Sequence, residues 1–142
     1  MLENIEGAIS RAKASGIPVI PIQHVTKQGM APFFIEGTPG AKIHPRILTA
    51  APDVPIIVKK YADSFERPNL GDTLSTLGMT ELLVCGMMTQ NCVTHTAISK
   101  AAENLDVTIL PDCCTTVSEI LHLNALHALS TRVKLVPSSE AL

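Results

Sequence analysis

The stretch Glu81–Ala97, ELLVCGMMTQNCVTHTA, decides how this chain folds. ELLVC reads as a short apolar strand, Gly86 opens a turn, and the residues from Thr89 to Leu105 read as a helix. An apolar strand that passes through a tight turn straight into a helix is the repeating unit of a parallel sheet covered on both faces. Cys92 falls in the first turn of that helix. The leading N–H groups there have no intrahelical partners, and the macrodipole adds positive potential. Both favour thiolate over thiol, and the thiolate is the nucleophile. Elsewhere a free cysteine is commonly just a small buried hydrophobe, so position rather than residue type singles out Cys92. The turn Gly86–Thr89 carries a second reading. It aims backbone N–H groups at one point, which suits an oxyanion forming on a carbonyl under attack, while Thr89 is placed to cap the helix.

The same unit extends in both directions. Leu2, Ile5, Ile9 and Ala12 recur at helical spacing until Ser15-Gly16, and PVIPIQHV (18–25) is the first strand. Residues 26–53 are rich in Gly, Pro and small side chains and read as a long irregular loop with one turn of helix, a length that favours function. PIIVK (55–59) is the second strand, and a helix begins near Gly71 with Asp72 or Thr73 at its cap. Val107–Leu110 is the fourth strand, stopped by Pro111-Asp112. Val117–Leu129 reads as a helix burying Ile120, Leu121, Leu123, Ala125, Leu126 and Leu129, and Val133–Val136 closes the series. The expectation is one α/β domain over residues 1–142 with five parallel strands and no internal linker or repeat.

In open α/β sheets ligands gather at the carboxyl ends of the strands. That rim would hold His24, Lys59, Cys92 and Asp112. Lys59 could keep a neighbouring thiolate or carboxylate ionised, or simply mark where the sheet meets water, as Lys60 does. His95 lies three residues past Cys92, but helical side chains at that spacing point only loosely toward one another; His122 and His127 read as surface residues. Cys113 and Cys114 read as packing.

Composition narrows the classes. With 142 residues and 46% hydrophobic content the chain can bury one sizeable core without Trp. A net charge of −2 offers nucleic acid or anionic membrane no electrostatic footing, and no apolar run nears the roughly 20 residues of a membrane span. The N-terminus lacks the basic start and apolar centre of a signal peptide. The four cysteines form neither a spaced disulfide framework nor zinc-ligand pairs, so a reducing, cytoplasmic setting without metal or cofactor is expected.

Two motifs in order then point to a family. GMMTQNCVTHTA (86–97) resembles the nucleophile segment of the isochorismatase-like cysteine hydrolases, G-x-x-T-x-x-C-V followed after a short gap by T-A. KKYADSF (59–65) resembles their lysine segment, with Phe65 six residues past Lys59, and GTPGAKIHP (37–45) resembles the loop before that strand. The resemblance implies a sheet of six parallel strands and a triad of Cys, Lys and Asp. It would make Cys92 the nucleophile and Lys59 its charge partner. The N–H groups of Met88 and Cys92 would form the oxyanion hole, with a cis peptide at Met87–Met88. The chemistry implied is hydrolysis of a C–N or enol-ether C–O bond in a small amide, ureide or isochorismate-like molecule, in a homo-oligomer.

The implied Asp closes a first strand ahead of the first helix, and here Met1 stands where that helix begins. The expectation is therefore a frame shortened at its start to five strands. Gln23-His24 also lacks the Asp of the metal-binding Asp-x-His pattern. Glu3 and Glu6 lie on the helix and cannot replace the triad carboxylate. The strand that carries it is central, so a sheet without it would leave backbone groups unpaired. Two other classes stay open: a weakened or inactive relative serving as a subunit or small-molecule binder, and a redox thiol protein using Cys113–Cys114.

Overall fold

The computed structural model describes residues 1–52 and 54–142; Asp53, at the end of the long loop, lies outside the described residues. Helix α1 spans Leu2–Ala14 and turns Ile5, Ala8, Ile9 and Ala12 inward, the stripe its 3.6-residue spacing dictates. Five strands follow, β1 (Ile22–His24), β2 (Ile57–Lys59), β3 (Glu81–Met87), β4 (Asp106–Thr115) and β5 (Lys134–Leu135), and every observed pairing is parallel. Between and after them run α2 (Pro45–Ala50), α3 (Leu70–Thr76), α4 (Thr94–Ala97), α5 (Glu119–Leu129) and α6 (Ser138–Ala141).

Alternation along β3 and β4 separates two cores. Val107 and Ile109 join Val93, Ala97 and Leu129 on one face, with Leu82 and Val84 packed against them. Leu110 and Cys113 join Ile5, Ala8 and Ile9 on the other, with Leu83 alongside. Helices therefore cover both faces, and Ile109 at the centre is 0% exposed. A third cluster, Ile57, Leu70 and Leu74, packs α3 on β2.

The strands do not form one sheet. β1 pairs with β2, and β3 pairs with β4 and β4 with β5, giving a two-stranded and a three-stranded sheet. The break leaves β1 and β3 each paired on one side alone.

Several local expectations are corrected. β4 does not stop at Pro111. Its pairing jumps from Val84–Ile109 to Gly86–Cys114, so β4 takes five steps where β3 takes two; the bulge absorbs the proline, which has no N–H for the ladder. The helix after the second strand begins at Leu70 with Asn69 at its cap, not at Asp72 or Thr73. The long loop holds more structure than one turn, a 3₁₀ turn at Pro39–Ala41 and the whole of α2. On α5, the expected buried face is largely open: Ile120 is 71% and Leu123 56% exposed, and Leu129 is the one residue fully buried. Its apolar residues occupy every side of the helix, so their spacing could not select a face.

Candidate active site

Cys92 is not in the first turn of a long helix. The run from Thr89 is a π-helical turn, Thr89–Val93, followed by the four-residue α4 and a 3₁₀ turn at Lys100–Ala102. Single π turns inside helices are frequent at functional sites. A helix this broken has a small macrodipole, so the chemistry of Cys92 depends on its neighbours. Thr89 does not cap it. Met88 takes the cap position, and Thr89, fully buried, bonds its hydroxyl to His122 Nδ1 at 2.9 Å. His122 is thus a structural partner rather than a surface residue. The Met87–Met88 peptide is cis.

The Cys92 side chain is 7% exposed, and its Sγ lies 3.5 Å from Nδ1 of His24 at the end of β1. Lys59, at the end of β2, is close enough to the same sulfur for their charges to interact. Lys59 is 4% exposed and donates to the carbonyl of Ala62. Burial pushes its ammonium below the ordinary 10.5, against the pull of Cys92 and Asp63. His24 is half-buried, and burial first and the Lys59 charge second hold its imidazole below 6.5. At neutral pH its ring is therefore uncharged and can accept a proton.

The lysine segment is tied to the cysteine segment by hydroxyls. Thr96 donates to Ser64 Oγ at 2.8 Å and accepts from the Ser64 N–H at 3.0 Å. Ser99 donates to Asp63 Oδ2 at 2.6 Å, and Asp63 Oδ1 accepts from the Phe65 N–H. Phe65 packs against two cores at once. These contacts explain why Asp63, Ser64, Phe65 and Thr96 accompany Lys59 and Cys92.

Two rim residues are not brought in. Asp112 bonds the N–H and hydroxyl of Ser138 at 2.8 and 2.6 Å, anchoring α6. His95 pairs with Asn91 at 3.1 Å. The Cys92–His24 contact was not legible beforehand, because a rim position does not say which side chains meet. Also missed was Phe34, whose ring stacks at a tilt on His24 with centroids 5.5 Å apart and touches Phe33 edge-on at 5.2 Å. The long loop thus sets a pair of aromatic rings beside His24. Gln90 Oε1, in the π turn, and Thr116 Oγ1, just past β4, are buried without partners. Among the described residues no group of three His, Cys, Asp or Glu converges to hold a metal.

The isochorismatase domain matches residues 1–141. The chain belongs to the isochorismatase family. An uncharacterized isochorismatase family protein of Bacillus subtilis, YddQ, is 31% identical over 82% of this chain and 64% of its own. A streptothricin hydrolase of Streptomyces noursei is 29% identical over 100% of this chain and 55% of its own. The chain thus spans between half and two thirds of the length of these curated relatives. An isochorismatase-like hydrolase from Alkaliphilus metalliredigens superposes with a TM-score of 0.88 at 22% identity, over 99% of this chain and 81% of that one. A pyrazinamidase/nicotinamidase from Streptococcus mutans gives 0.81 at 18%, over 94% and 83%. These likenesses confirm the α/β fold of parallel strands flanked by helices. Among the described residues no helix is long and apolar enough to cross a membrane.

The state of His24 has a measurable consequence. Its folded pKa lies below the unfolded 6.5, so as pH falls through 6.5 the unfolded chain takes up this proton first. His24 thus contributes stability that is present above pH 6.5 and lost as pH falls through the folded value. Urea midpoints measured from pH 7.5 to 5 should decline, and His24→Gln should flatten that decline.

Proposed function

We propose that this chain is a cysteine-dependent hydrolase of a small amide, ureide or isochorismate-like molecule. The observation that carries the reading is the proximity of Cys92, His24 and Lys59, which lie past or at the ends of three different strands in two sheets. With its proton on Nε2, His24 accepts the Cys92 thiol proton at Nδ1, and the Lys59 ammonium favours the thiolate left behind. For an amide, sulfur attacks the carbonyl carbon, and the N–H groups of Met88 and Cys92 receive the oxyanion. The C–N bond then breaks as His24 returns the proton to the departing nitrogen. Water, deprotonated by the same imidazole, releases the acid and restores the thiol. Phe33 and Phe34 offer an apolar face to a flat substrate. The relatives named nicotinamidase support an amide, and the streptothricin hydrolase supports a small-molecule substrate.

We carry two further features of the family with this reading, a cytoplasmic setting and self-association. The spacing of the cysteines supports the first, and the uncovered apolar side chains of α5 support the second. A second reading, a weakened relative that binds a small molecule, is favoured by one fact: no hydrogen bond joins Cys92 to a carboxylate among the described residues.

Thiol labelling tests the nucleophile. Burial pushes Cys114 up to about 12. Cys85 has an edge open to solvent, yet the protein packed around it, with Cys114, Cys113 and Asp112 nearby, pushes it to about 12 as well. At pH 7 iodoacetamide should therefore modify Cys92 first, located by peptide mass mapping, and His24→Gln should slow that step. Labelling of Cys85 ahead of Cys92 would overturn the assignment.

A further inference from the structure

Thr89 is held from two directions. It is 0% exposed, and it opens the π turn that carries Cys92. Its carbonyl accepts from the Thr94 hydroxyl at 2.6 Å, and its own hydroxyl lies 2.9 Å from Nδ1 of His122 on α5. The Met88 carbonyl just before it accepts from the N–H groups of Asn91 and Val93, so the turn winds about this end. At the other end Val93 shares a core with Leu129 of α5. The helix therefore grips the turn twice, by packing beyond Cys92 and by a hydrogen bond ahead of it. Among the described residues that bond is the one that a side chain of α5 makes to another element. Its direction follows from Thr89. A hydroxyl carries a single hydrogen, and burying that hydrogen without an acceptor is costly. The acceptor within reach among the described residues is His122 Nδ1. The hydroxyl therefore donates, Nδ1 is bare, and His122 carries its proton on Nε2.

We propose that His122 is a positioning residue for the chemistry at Cys92. By accepting from Thr89, Nδ1 fixes the first residue of the π turn. With it are fixed the Cys92 sulfur and the N–H groups of Met88 and Cys92. The groups they must meet, His24 and Lys59, belong to the other sheet, and neither β1 nor β2 is laddered to β3. A shift of the turn therefore moves the sulfur relative to His24 Nδ1 with no backbone pairing to preserve the 3.5 Å contact. His122 itself touches no reacting atom. The inference rests on the hydrolytic reading and adds a residue which that reading does not use.

Iodoacetamide labelling of Cys92 in the full 142-residue chain reads this position, because the rate depends on the sulfur meeting His24 and Lys59. His122→Leu puts a methyl group where Nδ1 stood, and His122→Asn keeps an acceptor there. Each protein is labelled equally far below its own thermal midpoint, which removes differences in stability. His122→Leu and Thr89→Val should each slow Cys92 about 10- to 100-fold, the cost of a misplacement of up to about 1 Å. His122→Asn should restore most of the rate. The double variant Thr89→Val/His122→Leu should be no slower than either single one, since the same bond is lost in all three. In the wild type, a nitrogen-15 imidazole spectrum should show His122 protonated at Nε2 alone, a readout that needs no variant to fold. Unchanged or faster labelling in His122→Leu, no recovery in His122→Asn, or a proton on Nδ1 would overturn the proposal. Wild-type Cys92 labelled no faster than the other cysteines would instead remove the hydrolytic reading, and the proposal with it.

Discussion

Cys92→Ser leaves the chain folded and lowers turnover by about 10⁴-fold or more. The substitution exchanges sulfur for oxygen in a side chain that is 7% exposed, so packing changes little. What changes is the acidity of the nucleophile. A hydroxyl gives up its proton far less readily than a thiol, whose reactive form is the thiolate. Neither the His24 contact nor the Lys59 charge, both built for sulfur, closes that gap. Losing a nucleophile that acts as a unit with its base costs on the order of 10⁶ in a well-studied protease, and 10⁴ is the conservative expectation here. The measurement is kcat/KM on a panel of amides, ureides and isochorismate, with wild type and variant compared by thermal melting to show equal folding. Wild-type turnover that survives in Cys92→Ser would remove Cys92 from the chemistry.

Lys59→Met separates activity from stability. The methionine keeps the length of the side chain and removes its charge. Without an opposite charge nearby, an ionised thiol is disfavoured by one to three pK units, so kcat/KM should fall about 10- to 1,000-fold. Stability should move the other way. A buried ammonium costs desolvation that the Ala62 carbonyl offsets only in part, and apolar replacement of buried charge commonly stabilises by about 1 kcal/mol or more. For a chain of this size that raises the melting temperature by roughly 3–5 °C. The sign is checked by pH. The folded pKa of Lys59 lies below the unfolded 10.5, so wild type gains stability as pH rises between those values. The advantage of Lys59→Met should be largest near neutrality and shrink toward pH 10.5. A variant that melts lower than wild type at pH 7 would show that the ammonium stabilises the fold.

How far the site was legible follows from the kind of information each residue carries. Lys59 and Cys92 could be picked out because strand ends share one rim, and because Phe65 and Thr96 stand at telling distances from them. The reason for those distances, the Thr96–Ser64 pair and the packing of Phe65, is tertiary and shows only in the folded chain. His24 stood on the same rim, but its choice of Cys92 depends on how β1 lies against the π turn. Asp112 was misplaced because Pro111 was read as the end of a strand; a bulge carries β4 past it and hands the carboxylate to Ser138. The fold class followed directly from alternating short apolar strands and helices. The division into two sheets was not legible, because it depends on which strand edges meet in space rather than on propensity or periodicity.

The hydroxyl contacts between Thr96 and Ser64 acquire a different meaning in a molecule whose sheets share no ladder. Lys59 belongs to one sheet and Cys92 follows the other, so backbone pairing does not set the distance between them. Two short side chains, each with a single rotor, act as the crossbar instead. The spacing of the reacting groups is then held by side-chain bonds, with Ser99–Asp63 and the packing of Phe65 beside that pair, and not by a backbone ladder.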